Sequence, residues 1–249
     1  MDSGIAFYEY DEIGLLARLK NFSRVEIFGE LLDDYRIVPA VESYPECRFQ
    51  VRELLSRKII SDLPEFPGKV CREFLELLDR RCIQMAKCGM SRATLTPDLG
   101  RAADDPAYAA RLKDLMLCIR GIVSRYGIDL LLELRVPESF ESALSITREF
   151  LQSSTVYTRL LIDFHVHEPR SFEFLPQLAE MFPFKCDSWR LSFEVASCNY
   201  LSAEAVKRIS AVSRKGSWEN EYMIFSPGHG AGEDNYRQLD ILAGECFRE

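Results

Sequence analysis

The stretch from Thr158 to Pro169, TRLLIDFHVHEP, closes an apolar run with an aspartate and two of the chain's three histidines. Asp163, His165 and His167 alternate, and side chains two apart on a strand point to one side of it. Two imidazoles and a carboxylate sharing a side could hold a divalent ion. Two more carboxylates interrupt apolar runs, Glu133 in LLLELR and Glu194 in LSFEV. A charge in such a setting is costly unless it is paired or bound to a metal. Brought together, Glu133, Asp163, His165 and Glu194 would form a hard, oxygen-rich set for manganese, magnesium or zinc. The same carboxylates could instead pair with Arg52, Arg135 or Arg190 in a structural network. His167 and Glu168 also fit a plain solvated turn.

The elements that would carry these residues alternate in type. Strand-like runs cover 5–10, 24–30, 48–54, 92–98, 129–135, 159–165, 189–196 and 221–227. Helical periodicity covers 69–87, where Val70, Phe74, Leu77, Leu78, Ile83 and Met85 fall mostly on one face. The next helix opens at Asp105-Pro106, a capping residue followed by proline in the first turn, and stops at Gly127. Further helices are expected at 138–152, 171–182, 202–213 and 234–244. Residues 31–66 are less regular, and RIVPAVES with SDLPEFPG suggests a long loop between the second and third strands.

Eight strand–helix units without an internal repeat predict an α/β protein, a single (β/α)8 TIM barrel spanning 1–249 as one domain, irregular or incomplete towards its C-terminal end. A doubly wound open sheet would more often carry a glycine-rich turn after its first strand, where this chain has EYDEIG. In a barrel the chemistry sits at the carboxyl ends of the strands. Those ends offer Tyr8 and Glu9, Glu26 and Glu30, Arg52 and Glu53, Thr96 and Asp98, Glu133 and Arg135, Asp163 with both histidines, Glu194, and Ser226 leading into His229.

Composition narrows the partners. The net charge of −8 argues against a non-specific grip on nucleic acid, which needs clustered Lys and Arg. No run of 18 apolar residues suggests a membrane span, and the start lacks the pattern of a secretory signal. The eight cysteines form no CxxC pair with zinc-ribbon spacing, and several, Cys82 and Cys118 among them, fall on apolar stripes. They are expected to be small buried hydrophobes in a reducing, cytoplasmic setting.

Two resemblances sharpen the reading. DFHVHEP resembles the Asp-x-His-x-His signature of amidohydrolases and PHP-type phosphoesterases, which implies a metal-dependent hydrolase. Those enzymes place it on the first strand, whereas here it begins at residue 163 and only His229 remains as a further imidazole. RVEIFGE, LLLELR and LLIDFH, in this order and spacing, resemble the second, fifth and sixth strands of the xylose isomerase-like barrels. SPGHGAGEDNYRQLDIL is similar to that family's Pro-Gly-x-Gly loop. The resemblance implies a metal-dependent sugar or sugar-phosphate isomerase or epimerase with a small carbohydrate-like substrate. It implies Glu133 and Asp163 as metal ligands, Glu133 also as the catalytic base, and His165 on metal or substrate. Glu26 would line the pocket, Arg52 and Arg135 would hold a phosphate or carboxylate, and His167 and His229 would contact substrate. The chain departs from the family where strand four reads LTPD, strand seven SFEVAS and strand eight MIFSP, so Glu194 would have to replace a metal-binding histidine and His229 or Glu233 a second catalytic carboxylate. A catalytically degenerate barrel that binds a small polar ligand or a partner is the alternative.

Overall fold

In the computed structural model, residues 2–62, 70–136, 159–177, 186–193, 206–209, 211 and 222–247 are described. Eight strands run β1 Asp2–Phe7, β2 Arg24–Phe28, β3 Arg48–Arg52, β4 Arg92–Leu95, β5 Asp129–Val136, β6 Arg159–His165, β7 Cys186–Ser192 and β8 Tyr222–Ser226. All pair in parallel in chain order, and β8 returns to β1, with Asp2 opposite Tyr222 and Ile5 opposite Phe225. This is the closed (β/α)8 barrel expected from the alternating pattern.

Alternation along each strand sorts the side chains into two layers. Outward residues such as Ile5, Phe7, Val25, Ile27, Leu132, Leu134, Ile162 and Phe164 pack with the surrounding helices in the main core. Inward, the lower part of the barrel is filled by Ala6, Leu131, Leu161, Tyr222 and Ile224. The next inward positions up, toward the carboxyl ends, are polar: Glu26, Gln50, Thr94, Glu133, Asp163 and Arg190, all buried.

The helix Val70–Lys87 buries Phe74, Leu78, Cys82 and Met85, while Ile83 is exposed, so the core stripe is narrower than the periodicity suggests. The helix Pro106–Val123 is capped by Asp105, whose carboxylate accepts from the backbone N–H of Ala107 and Tyr108. Gly127 follows in the left-handed region at φ 67°, as its C-terminal role requires. The helix Glu233–Phe247 closes the described chain. RIVPAVES forms the short helix Ile37–Glu42 before β3, whereas SDLPEFPG begins in the helix Arg57–Asp62 after it, so the two stretches are not one loop. Of the helices expected at 138–152, 171–182 and 202–213, the first lies outside the described residues and the others do so in part. No helix among the described residues is long and apolar enough to cross a membrane. Cys47, Cys82, Cys88, Cys118 and Cys246 are free; Cys82 is buried as expected, but Cys118 is exposed.

Candidate functional site

Arg190 organises the barrel interior. It is fully buried, and it enters from β7 between Trp189 and Leu191, which face the helices. Its Nε and Nη2 donate to the two oxygens of Glu26 at 2.6 and 2.7 Å. Its Nη1 lies 2.7 Å from Glu133 Oε2 and 3.2 Å from Asp163 Oδ2. One permanently charged fork therefore touches carboxylates from β2, β5 and β6.

Two further guanidiniums complete the network. Arg52, at the end of β3, donates to Asp163 Oδ2 at 3.1 Å and to Ser226 Oγ at 3.2 Å. Arg135 donates to Glu133 Oε1 at 3.0 Å and to Glu53 Oε1 at 2.5 Å. The remaining acceptor positions are also used: Gln50 donates to Glu26, Thr94 to Glu133 and Ser192 to Asp163. Burial alone would raise the Glu133 carboxyl. The guanidiniums of Arg190, Arg52 and Arg135 outweigh that and hold it well below the usual carboxylate range. Burial opposes the charge of Arg190 in turn, and Glu133, Glu26 and Asp163 keep it charged.

The donor set expected for a divalent ion is thus partly assembled, but with the wrong counter-charge. Glu133 and Asp163 do meet inside the barrel, and His165 stands above them with Nε2 4.0 Å from Asp163 Oδ2. Glu194 lies outside the described residues. Both oxygens of Glu133 and both of Asp163 already accept from donors of the chain. An ion between them would have to displace a guanidinium and sit beside three fixed positive charges. The residues as arranged do not fit a metal at this position. Pairing with Arg52, Arg135 and Arg190, the other option left open by the sequence, is the arrangement found.

The remaining candidates fall into place around this network. Glu26 is buried against Arg190. Arg52 and Arg135 hold the chain's own carboxylates. Glu233 pairs with Arg18 and Arg237 on the surface. His229 lies over the edge of Tyr8, with ring centres 5.5 Å apart. His167 lies in the turn after β6, its ring centre 5.5 Å from that of His165.

A cleft of about 300 Å³ opens at the carboxyl ends of β1, β2, β3 and β8, lined by Tyr8, Phe28, Glu30, Leu31, Glu53, Ser56 and His229. Tyr8 anchors its wall: its hydroxyl is 2.7 Å from Ser226 Oγ and accepts from Arg52 at 3.3 Å. Arg52 also stacks 4.9 Å from the Phe28 ring centre, which ties the cleft to the ion network. Glu53 adopts φ 48°, the left-handed region, which a non-glycine residue enters at a cost of roughly 1–3 kcal/mol. Its N–H bonds Thr94 Oγ1 and its carboxylate bonds Arg135, so the strained backbone is fixed from both sides. Phe28, Leu31 and Ser56 were not among the sequence candidates. Phe28 ends its strand run in an apolar side chain, which gave no chemical signal. Arg190 stood out only as a possible partner, although the alternation in WRLS already turns it to the opposite side from Trp189 and Leu191.

The acid limb of stability should reflect this wiring. Because the folded carboxyl of Glu133 is lowered, its contribution is fully present above the unfolded value, about 4.3, and fades as pH falls toward the folded one. Denaturant unfolding from pH 7 to 3 should show stability falling below about pH 5, with a shallower fall in Glu133→Gln. Equal slopes in both proteins would contradict this wiring.

No family model matches the chain, and no curated protein matches it. Solved structures do. A D-psicose 3-epimerase crystallised in the presence of D-fructose superposes with TM-score 0.68 at 12% identity, over 99% of this chain and 96% of that one. A D-psicose 3-epimerase with D-tagatose from Clostridium cellulolyticum H10 gives 0.66 at 13%, over 99% and 96%. The IOLI protein with a bound zinc atom gives 0.65 at 11%, over all of both chains. At such identities the likeness speaks for architecture alone: this chain shares the closed (β/α)8 barrel fold of these structures.

Proposed function

We infer that this barrel binds a small polyhydroxylated, carbohydrate-like molecule in the cleft between Tyr8, Phe28 and His229, with no divalent ion between Glu133 and Asp163. The observation that carries this reading is the buried Arg190 fork, which supplies the positive charge there from within the chain. The cleft above it has the right chemistry. Aromatic faces suit the C–H faces of a sugar, and the carboxylates of Glu30 and Glu53 accept from hydroxyls. The likeness to epimerases crystallised with D-fructose and D-tagatose supports the same ligand class.

A metal-dependent sugar isomerase or epimerase is the second reading, favoured by that likeness and by the zinc atom of the IOLI protein. It asks Glu133 to take a proton. A general base works best with a pKa near the working pH, and Glu133 is buried and held far below that by three guanidiniums.

Calorimetric titration of chelator-treated protein with D-fructose and D-tagatose separates the two. Binding should survive chelation and weaken at least about tenfold in Tyr8→Ala, the loss expected for one aromatic contact plus its hydrogen bond. Binding or turnover that appears only after manganese, magnesium or zinc is added, and that Glu133→Gln abolishes, would establish the isomerase instead. No binding with or without metal would end the carbohydrate reading.

A further inference from the structure

We propose that His165, His167 and Glu168 form a divalent-cation site at the rim of the barrel, next to the arginine network but with ligands of its own. One ligand atom from each of the three lies within 4.8 Å of the others. His167 Nε2 is 3.8 Å from Glu168 Oε1. His165 Nε2 is buried and makes no hydrogen bond, with Asp163 Oδ2 the nearby carboxylate oxygen at 4.0 Å. A buried imidazole nitrogen in that condition is satisfied once the ring binds an ion and its other nitrogen turns to a carboxylate.

The backbone that presents these groups is fixed. The N–H of Val166 donates to Ser192 O, and that of Glu168 to His165 O. The N–H of Ser171 then donates to Glu168 O, while its hydroxyl donates to Val136 O. Val166, between the two histidines in sequence, is buried in the core, and the two imidazoles lie together with ring centres 5.5 Å apart. Ligand bonds of about 2.0–2.2 Å require the three donors to draw closer than they stand here. Side-chain rotation can do this, because all three residues are only partly buried. Two imidazoles and one carboxylate favour zinc, cobalt(II) or nickel(II) over magnesium, and leave a coordination position for water or a ligand oxygen. The site uses no residue of the Tyr8 cleft, so it does not depend on the carbohydrate reading.

The full chain, stripped by chelator, should bind one cobalt(II) ion with a visible absorption band, and one zinc ion by calorimetry. His167→Ala and Glu168→Gln should each weaken binding at least about tenfold, and His165→Ala/His167→Ala should abolish it. Glu168→Gln changes a half-exposed side chain and keeps its size, so a matching thermal unfolding curve will show that lost binding is not lost folding. Absence of any bound ion, or an affinity unchanged in both His167→Ala and Glu168→Gln, would overturn the proposal.

Discussion

Arg190→Met is expected to remove about 3–5 kcal/mol of folding stability at neutral pH, the usual result of taking one partner from a buried ion network. Three carboxylates lose a donor at once, and Glu26 and Glu133 have no exposed side-chain surface through which water could replace it. Domains are typically stable by only about 5–15 kcal/mol. A chain of this size loses roughly 2–4 °C of melting temperature per kcal/mol. The variant should therefore melt on the order of 10 °C lower, or fail to fold at 37 °C. Adding Glu26→Gln should recover part of the loss, because it removes one of the stranded charges. Denaturant unfolding of the two variants measures both effects. A loss below about 1 kcal/mol in Arg190→Met, or one repaired by added divalent ions, would mean that something other than this guanidinium balances the interior.

The second large effect is steric. Gly29 follows β2 where the chain after β3 passes close by. A Cβ there would lie 2.5 Å from Glu53 O, 2.8 Å from Leu54 O and 2.9 Å from Leu54 C, all backbone atoms. Gly29→Ala must push that chain away, at a cost of about 1–3 kcal/mol for an overpacked site. The displaced residue is Glu53, which already holds a strained φ and the Arg135 contact. If the cleft binds a sugar as proposed, the substitution should therefore lower D-fructose affinity as well as stability, whereas an ordinary core defect would lower stability alone. Calorimetric titration beside thermal unfolding distinguishes them. A Gly29→Ala protein with parental stability would show that the backbone at Glu53 and Leu54 yields freely to the added methyl.

The strands were legible because burial on one or both faces leaves a plain trace in composition. LLLEL, RLLID and RVEIF are apolar on the outward parity, and the structure finds β5, β6 and β2 there. Two ends shifted for local reasons. The run expected at 5–10 is β1 at Asp2–Phe7, because Glu9 caps a 3-10 turn with Glu12 instead of continuing the strand. β7 begins at Cys186 in a polar stretch, where the pairing with β6 slips by a residue between Leu160 and Leu161. The candidate site was legible in part. Parity and strand order brought Glu133 and Asp163 together. What sequence could not decide was the sign of the charge between them, since an acidic strand end looks alike whether it faces an ion or an arginine from another strand. The cleft was harder to foresee, because Phe28, Leu31 and Ser56 acquire their role only from where the ends of four strands converge.

Barrel closure carries one further consequence, for the order of folding. The seam between the first and last strands joins residues about 220 positions apart in the chain, and contacts of such long range are made late and slowly. A nascent chain halted before Tyr222 would present two unpaired strand borders, at Asp2–Phe7 and Cys186–Ser192, each able to template association with another copy. Synthesis must thus pass the final strand before the ring can protect itself, and interrupted products should be found among aggregates.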